Sequence, residues 1–99
     1  MAIQKQFLKS KKECKVTFSL ALEDAQTVQV CGAFNNWNGE KLPLKKLKNG
    51  TFKGSIKLPL NNSYEFKYLV NGTTWINEND ADDLVWNDYA ASKNSLIEL

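Results

Sequence analysis

Apolar and polar residues alternate in several short runs, and this period of two constrains the fold more than any other feature. In the clearest run, every second residue from Cys14 to Leu20 is apolar, with lysine, threonine and serine between them. The pattern recurs over residues 28–30, 52–58 and 64–70. Side chains point to alternate faces of a β-strand, so each run predicts a strand with one buried face.

Turn residues separate these runs. Asn49-Gly50 and Asn71-Gly72 tolerate the positive φ of tight hairpin turns, and Pro59 ends the strand before it. Residues 32–43 form a longer, Asn-rich loop, and no window shows helical periodicity. Short strands with regular turn signals predict an all-β fold, an antiparallel sandwich of two sheets. A last strand is expected at 95–99 and an edge strand at 3–8.

The 99 residues are expected to form a single domain over 1–99, with 1–12 as the edge strand and its turn. Its predicted core consists of the apolar residues on the inward faces of these strands. They are Val16, Phe18, Leu20, Val28, Val30, Phe34, Phe52, Ile56, Tyr64, Phe66, Tyr68, Val70 and Leu96.

Missing residue types exclude several functions. The sequence has neither histidine nor arginine, which removes histidine-based catalysis, histidine-metal sites and bidentate phosphate recognition. Its net charge of +2 is too small to predict a nucleic-acid partner. No apolar run is long enough for a membrane span, and no signal peptide is visible, so we expect a cytoplasmic protein without a membrane partner.

The two cysteines, Cys14 and Cys31, are not spaced as a metal motif. We expect two free, partly buried thiols rather than a disulfide. Cys31 is out of phase with Val28 and Val30, so it is expected to face away from the core.

Charge is segregated along the chain. Residues 1–15 hold five lysines and one acid, while residues 78–88 hold five acids and no lysine. The simplest interpretation is two solvated loop regions. The acidic segment lacks the glycine and late glutamate of a calcium loop, so no metal and no cofactor are predicted. On size grounds, we do not expect so small a sandwich to build the deep substrate cleft that a glycosidase needs, and no enzyme activity is predicted.

Aromatic residues among polar ones are the main functional signal: Trp37, Trp75, Trp86 and Tyr89. A sugar presents a face of C–H bonds that matches the negative face of an indole, and asparagine or lysine can bond its hydroxyls. Such platforms predict a carbohydrate-binding groove, or else the anchors of a protein interface. Each tryptophan could instead have a structural role and fill the core at one end of the sandwich. This alternative is favoured for Trp86.

Lys67 lies between the core residues Phe66 and Tyr68, so its side chain is expected to leave the outer face of the sheet. If Trp75 returns beside this strand, the two side chains meet there. A solvated surface lysine is the simpler alternative.

Several ordered motifs resemble family 48 carbohydrate-binding modules, over about residues 13–99. The segment Gly32-Ala33-Phe34-Asn35-Asn36-Trp37 is similar to the Gly-x-Phe-Asn-x-Trp signature of this family. Leu-Pro-Leu at 42–44, Tyr-Glu-Phe-Lys-Tyr-Leu-Val-Asn-Gly at 64–72 and Asn-Ser-Leu-Ile at 94–97 resemble further motifs. The family includes the glycogen-binding domain of the AMP-activated protein kinase beta subunit and the N-terminal domains of isoamylases and branching enzymes.

The resemblance implies an immunoglobulin-like β-sandwich of the early-set type that binds α-1,4-glucans. It places the two stacking platforms on Trp37 and Trp75, and the bonds to sugar hydroxyls on Lys67 and Asn94. The apolar finger of the family falls on Tyr89 or Ala90. One residue more than in the kinase domain separates Lys67 from Trp75, because Thr73-Thr74 follows the turn.

We therefore expect non-catalytic binding of glycogen, starch or maltodextrins. The alternative is a protein-interaction module of the same fold that docks a kinase or a glucan-metabolising enzyme without binding sugar.

Overall fold

The computed structural model describes residues 2–8, 12–89 and 91–99. The strands, in chain order, are β1 (Ala2–Leu8), β2 (Glu13–Ala21), β3 (Val28–Gly32), β4 (Lys45–Lys46), β5 (Thr51–Pro59), β6 (Ser63–Val70), β7 (Thr74–Ile76), β8 (Asp83–Asn87) and β9 (Ser92–Glu98). Two short 3-10 segments, Ala33–Asn35 and Gly39–Lys41, lie in the loop after β3. Over the described ranges, no helix has the length and apolar character needed to cross a membrane.

The strands form two antiparallel sheets. The first has the order β1-β2-β5-β4, and the second has the order β3-β6-β9-β8, with β7 paired to β6 beyond the end of β9. The chain passes from the second sheet to the first after β3, where Val30 N–H donates to the carbonyl of Leu42 at 3.0 Å. The prediction of an all-β, immunoglobulin-like antiparallel sandwich is confirmed. The edge strand expected at residues 3–8 is present as β1, whereas the turn expected after it falls on residues 9–11, outside the described residues.

The core lies between the sheets and centres on aromatic rings. The Phe18 ring lies 5.3 Å from the Phe66 ring and 6.1 Å from the Tyr68 ring, centroid to centroid. Of the predicted core, eight residues are fully buried: Val16, Phe18, Leu20, Val28, Val30, Phe52, Phe66 and Tyr68. Four more are partly buried and pack against them: Phe34, Ile56, Tyr64 and Val70.

The assignment of Leu96 to the core is wrong. Phe66 on β6 lies opposite Ser95 on β9, so Ser95 and Ile97 point inward and Leu96 points outward. Ile97 is fully buried in its place. Leu96 and Ile97 are adjacent apolar residues that point to opposite faces of β9, so the sequence pattern left its register open.

Both cysteines are free thiols, as expected. Cys31 is buried outside the core cluster, on the other face of β3, where the second 3-10 segment covers it at Gly39. Burial raises the pKa of both thiols.

The interpretation of the charged segments as solvated loop regions is wrong in part. Strands β1, β2 and β8 run through the two segments, and Glu78 is buried. Glu78 is only 2% exposed: its Oε1 accepts the Tyr68 hydroxyl at 2.7 Å, and its Oε2 accepts the Asp80 N–H at 2.9 Å. Asp82 forms an ion pair of 2.6 Å with Lys5 of β1. This ion pair connects the basic strand β1 to the acidic segment before β8. Strand β1 is an outer strand of the first sheet, and β8 is an outer strand of the second.

Candidate carbohydrate-binding cleft

An open cleft of about 740 Å³ lies on the outer face of the second sheet, which is the face turned away from the first sheet. Three aromatic and four polar residues line it: Trp37, Lys67, Trp75, Asn87, Tyr89, Ser92 and Asn94. All five residues predicted for the site are among them. The structure therefore brings them together, while their binding roles stay predictions.

Trp37 is positioned by a strained loop. Asn36 and Trp37 both have positive φ, at 54° and 59°, a conformation that bulky side chains rarely adopt. The buried Asn35 secures the loop: its Oδ1 accepts the Gly32 N–H at 3.0 Å and its Nδ2 donates to the Val30 carbonyl at 2.9 Å. The Trp37 N–H donates to the carbonyl of Gly32 at 2.9 Å, so the loop closes on the end of β3.

Gly32 is required at this closure. A Cβ there would lie 2.7 Å from the carbonyl oxygen of Glu65 and 2.8 Å from the ring of Phe34. The Gly-x-Phe-Asn-x-Trp spacing thus has a physical cause. Glycine permits the close approach, asparagine ties the turn, and tryptophan is left 38% exposed above the sheet.

Trp75 lies on β7 opposite Leu69 of β6, on the same outer face as Lys67. Its side chain is 49% exposed. The additional residue before Trp75 is accommodated in the turn, where the Thr73 N–H donates to the carbonyl of Val70 at 3.1 Å. With this turn, Trp75 lines the same cleft as Lys67.

The polar groups of the cleft are held by hydrogen bonds between strands. Lys67 Nζ donates to Ser92 Oγ at 2.9 Å. Asn94 Nδ2 donates to Glu65 Oε1 at 3.1 Å, and Asn94 is 2% exposed. These contacts fix an ammonium and an amide at the cleft before any ligand arrives.

Tyr89 lies in the connection between β8 and β9, and its side chain is fully exposed at the cleft. Ala90, the other residue considered for the apolar finger, lies outside the described residues. Tyr89 thus lines the cleft, and its role as the apolar finger stays a prediction.

Two lining residues were not identified from the sequence. Ser92 precedes Asn94 by two residues on β9, so both point to the same face, a relationship visible only once the strand is known to begin at Ser92. Asn87 belongs to β8, a strand that the sequence pattern did not predict.

Trp86 neither lines the cleft nor plugs the sandwich. Its side chain is 60% exposed, and its Nε1 donates to Asp88 Oδ1 at 2.6 Å. The favoured interpretation of Trp86 as a structural plug is therefore wrong.

The cleft offers aromatic surface together with hydroxyl, amide and ammonium groups. None of its seven lining side chains is a carboxylate or a thiol. Elsewhere in the described ranges, no three histidine, cysteine or acidic side chains lie close enough to hold a metal ion. This set suits an uncharged polar ligand with apolar faces.

The chain matches the model of a known protein family. The model of carbohydrate-binding module 48 (isoamylase N-terminal domain) matches residues 7–90. A chloroplastic/amyloplastic 1,4-alpha-glucan-branching enzyme of rice, Oryza sativa subsp. japonica, is 34% identical over 59 residues, which are 52% of this chain and 7% of that enzyme.

A similar fold occurs in the catalytic module of SpuA, a multi-modular glycogen-degrading pneumococcal virulence factor solved in complex with an inhibitor. The TM-score is 0.64 at 19% identity, over 100% of this chain and 16% of that one. The chain thus spans a small fraction of the length of both relatives.

Proposed function

The chain belongs to the carbohydrate-binding module 48 family, and on that basis we propose that it binds α-1,4-linked glucans such as glycogen, starch or maltodextrins in the cleft. One observation supports this most directly. Trp37, Lys67, Trp75 and Asn94, which are far apart in sequence, line the same open cleft.

The chemistry of the cleft fits a glucan chain. The two half-exposed indoles offer apolar surface on which the C–H face of a glucose ring can be buried. Lys67 brings N–H donors, and the Asn94 amide brings both donors and an acceptor, for the hydroxyls around the ring. Tyr89 is fully exposed and adds a third apolar surface at the tip of the β8–β9 connection.

We expect binding to be weak. The cleft is open, and a flexible oligosaccharide loses conformational freedom when it is ordered on two platforms. A Kd on the order of tens of micromolar to millimolar is the expected range.

The proposal is for binding without catalysis. Glycoside hydrolysis needs two carboxyl groups on either side of the scissile bond, and the side chains that line the cleft offer none. The nearby Glu65 carboxylate is engaged by the amide of Asn94, and Glu78 is buried against Tyr68.

The test is a comparison of two exposed tryptophans. Trp75→Ala should abolish binding of maltoheptaose in isothermal titration calorimetry, whereas Trp86→Ala, which removes an indole outside the cleft, should leave the affinity unchanged. Circular dichroism and thermal melts confirm that both variants are folded. Equal binding by wild type and Trp75→Ala would show that the cleft is not the site. A wild-type protein that binds no glucan would favour the alternative of a protein-interaction module.

A further inference from the structure

Strand β8 ends the second sheet with a free edge. Over the described residues, β8 pairs only with β9. Leu84 and Trp86 lie on the same face of β8, where they are 45% and 60% exposed. The Leu84 N–H donates to Oδ1 of Asp83 at 2.8 Å, so this N–H is turned away from β9. Because backbone groups alternate along a strand, those of Trp86 are also turned to the free edge.

Strand β1, one of the two outer strands of the first sheet, is protected against self-association. Lys5 lies at the middle of Ala2–Leu8, and its ammonium is occupied by Asp82 and by the carbonyl of Glu98 at 3.1 Å. Two copies of β1 paired antiparallel about their midpoints would place Lys5 opposite Lys5 of the partner subunit. Like charges directly opposite each other destabilise a strand pair.

We propose that β8 pairs with β8 of a second copy of this chain, antiparallel and centred on Val85. The sequence Asp83-Leu84-Val85-Trp86-Asn87 is self-complementary in this register. Leu84 of each copy lies opposite Trp86 of the partner subunit, so this apolar contact occurs twice. Asp83 of each copy lies opposite the neutral side chain of Asn87 of the partner subunit. The backbone groups of Leu84 and Trp86 that face the free edge become hydrogen-bonded pairs.

The neighbouring registers are less favourable. Centring on Leu84 places Trp86 opposite Asp82 of the partner subunit, and centring on Trp86 places Leu84 opposite Asp88 of the partner subunit. Both put an apolar side chain against a carboxylate, whereas the Val85-centred register puts apolar against apolar.

This pairing joins the second sheet of one copy to the second sheet of the other, so that they form one continuous sheet. The symmetry axis of an antiparallel pair is perpendicular to the sheet, so both outer faces point to the same side. If the cleft binds glucan as proposed above, two clefts then lie side by side on one surface. A long glucan chain would gain affinity from both, whereas the pairing itself does not depend on sugar.

The contact is small, since it involves one strand of five residues from each copy. It also requires the Asp83 carboxylate to give up its hydrogen bond with the Leu84 N–H. We therefore expect a dimer Kd in the range of about 0.1 to 1 mM. Such weak association becomes relevant where many copies gather on one polymer.

Sedimentation equilibrium of the sugar-free protein, from about 20 µM to about 2 mM, tests the pairing. The wild type should shift from monomer to dimer over this range. Val85→Lys and Val85→Glu should each stay monomeric, because each places like charges opposite each other at the centre. An equimolar mixture of these two variants should dimerise again.

Phe7→Lys is the matched control, because it places a lysine on a 56% exposed residue of the other edge strand. It should dimerise as the wild type does. If a Val85 variant does not fold, Trp86→Lys tests the same register at an exposed position, because it places a lysine opposite Leu84 of the partner subunit and should weaken the dimer. A wild type that is monomeric throughout, or that dimerises undiminished with these substitutions, would overturn the proposal whatever the outcome of the glucan titrations.

Discussion

The side chain of Asn94 donates to Glu65, with Nδ2 and Oε1 3.1 Å apart between β9 and β6. Asn94 is 2% exposed even though it lines the cleft, and a buried amide requires a partner. Glu65 thereby sets the orientation of the amide that a sugar hydroxyl would meet. Because Glu65 itself does not line the cleft, its contribution to binding is indirect.

Replacing Glu65 with alanine should therefore weaken maltoheptaose binding by up to about tenfold, because the ligand must then orient the Asn94 amide, and the hydrogen bond that did so contributes on the order of 1.5 kcal/mol. Glu65→Gln keeps an acceptor oxygen and should recover part of the affinity. Glu23→Ala is the control for the change in net charge, because it removes an exposed carboxylate that does not line the cleft. Calorimetric titration gives the three affinities, and an unchanged Kd for Glu65→Ala would contradict the positioning role.

Tyr68→Phe should destabilise the domain by about 1 to 3 kcal/mol, because it leaves Oε1 of the buried Glu78 without its donor. Burial and the neighbouring Glu78 both raise the pKa of Tyr68, so the hydroxyl remains a donor at neutral pH. Urea unfolding measures the loss. In the double variant Tyr68→Phe/Glu78→Gln, the loss should be smaller than the sum of the two single losses; strict additivity would show that the two side chains are not coupled.

The Lys5–Asp82 ion pair should make stability depend on pH in the acid range. Burial raises the pKa of Asp82, but the Glu98 N–H at 2.7 Å and the Lys5 ammonium together outweigh this and lower it. A lowered folded-state pKa stabilises the fold above the unfolded pKa of about 3.9, and this stabilisation is lost as the pH falls through the folded pKa.

Asp82→Asn should accordingly cost less than about 1 kcal/mol at pH near 7, because the pair is partly exposed. The difference from wild type should shrink as the pH falls from about 5 to below about 3. Urea unfolding at several pH values checks this. A difference that stays constant across that range would contradict the assignment.

Lys57→Glu should stabilise the domain. Lys57 lies directly opposite Lys15 on neighbouring strands of the first sheet, and both are exposed. Exchanging a repulsive pair for an attractive one should add about 0.5 kcal/mol. Lys48→Glu makes the same change of charge in the turn before β5 and serves as the control. Equal thermal stability of the two variants would show that the opposed lysines do not interact.

The sequence predicted the parts of the fold that follow from alternation. Strands β2, β5 and β6 each bury one face, so their apolar residues have a period of two. Strand β8 was missed because Leu84, Val85 and Trp86 are three apolar residues in a row at the edge of a sheet, where burial imposes no alternation. The burial of Glu78 was missed because its partner Tyr68 comes from another strand.

The main residues that line the cleft could be predicted because they lie in motifs that resemble those of family 48 modules, and the spacing of two of these motifs follows from backbone requirements. Gly32 and Asn35 shape the loop that exposes Trp37, and the Asn71-Gly72 turn brings Trp75 back beside Lys67. Ser92 and Asn87 could not be predicted in the same way. Their place in the cleft depends on the register of β8 against β9, which the sequence pattern left open.

The most direct test of glucan binding is an NMR titration of isotopically labelled protein with maltoheptaose, which follows the indole N–H signals of the three tryptophans. We predict saturable shifts for Trp37 and Trp75, with the Trp86 signal unmoved at a fixed, dilute protein concentration. Absence of any shift at millimolar sugar, or shifts confined to Trp86, would contradict the assignment of the cleft as a glucan-binding site.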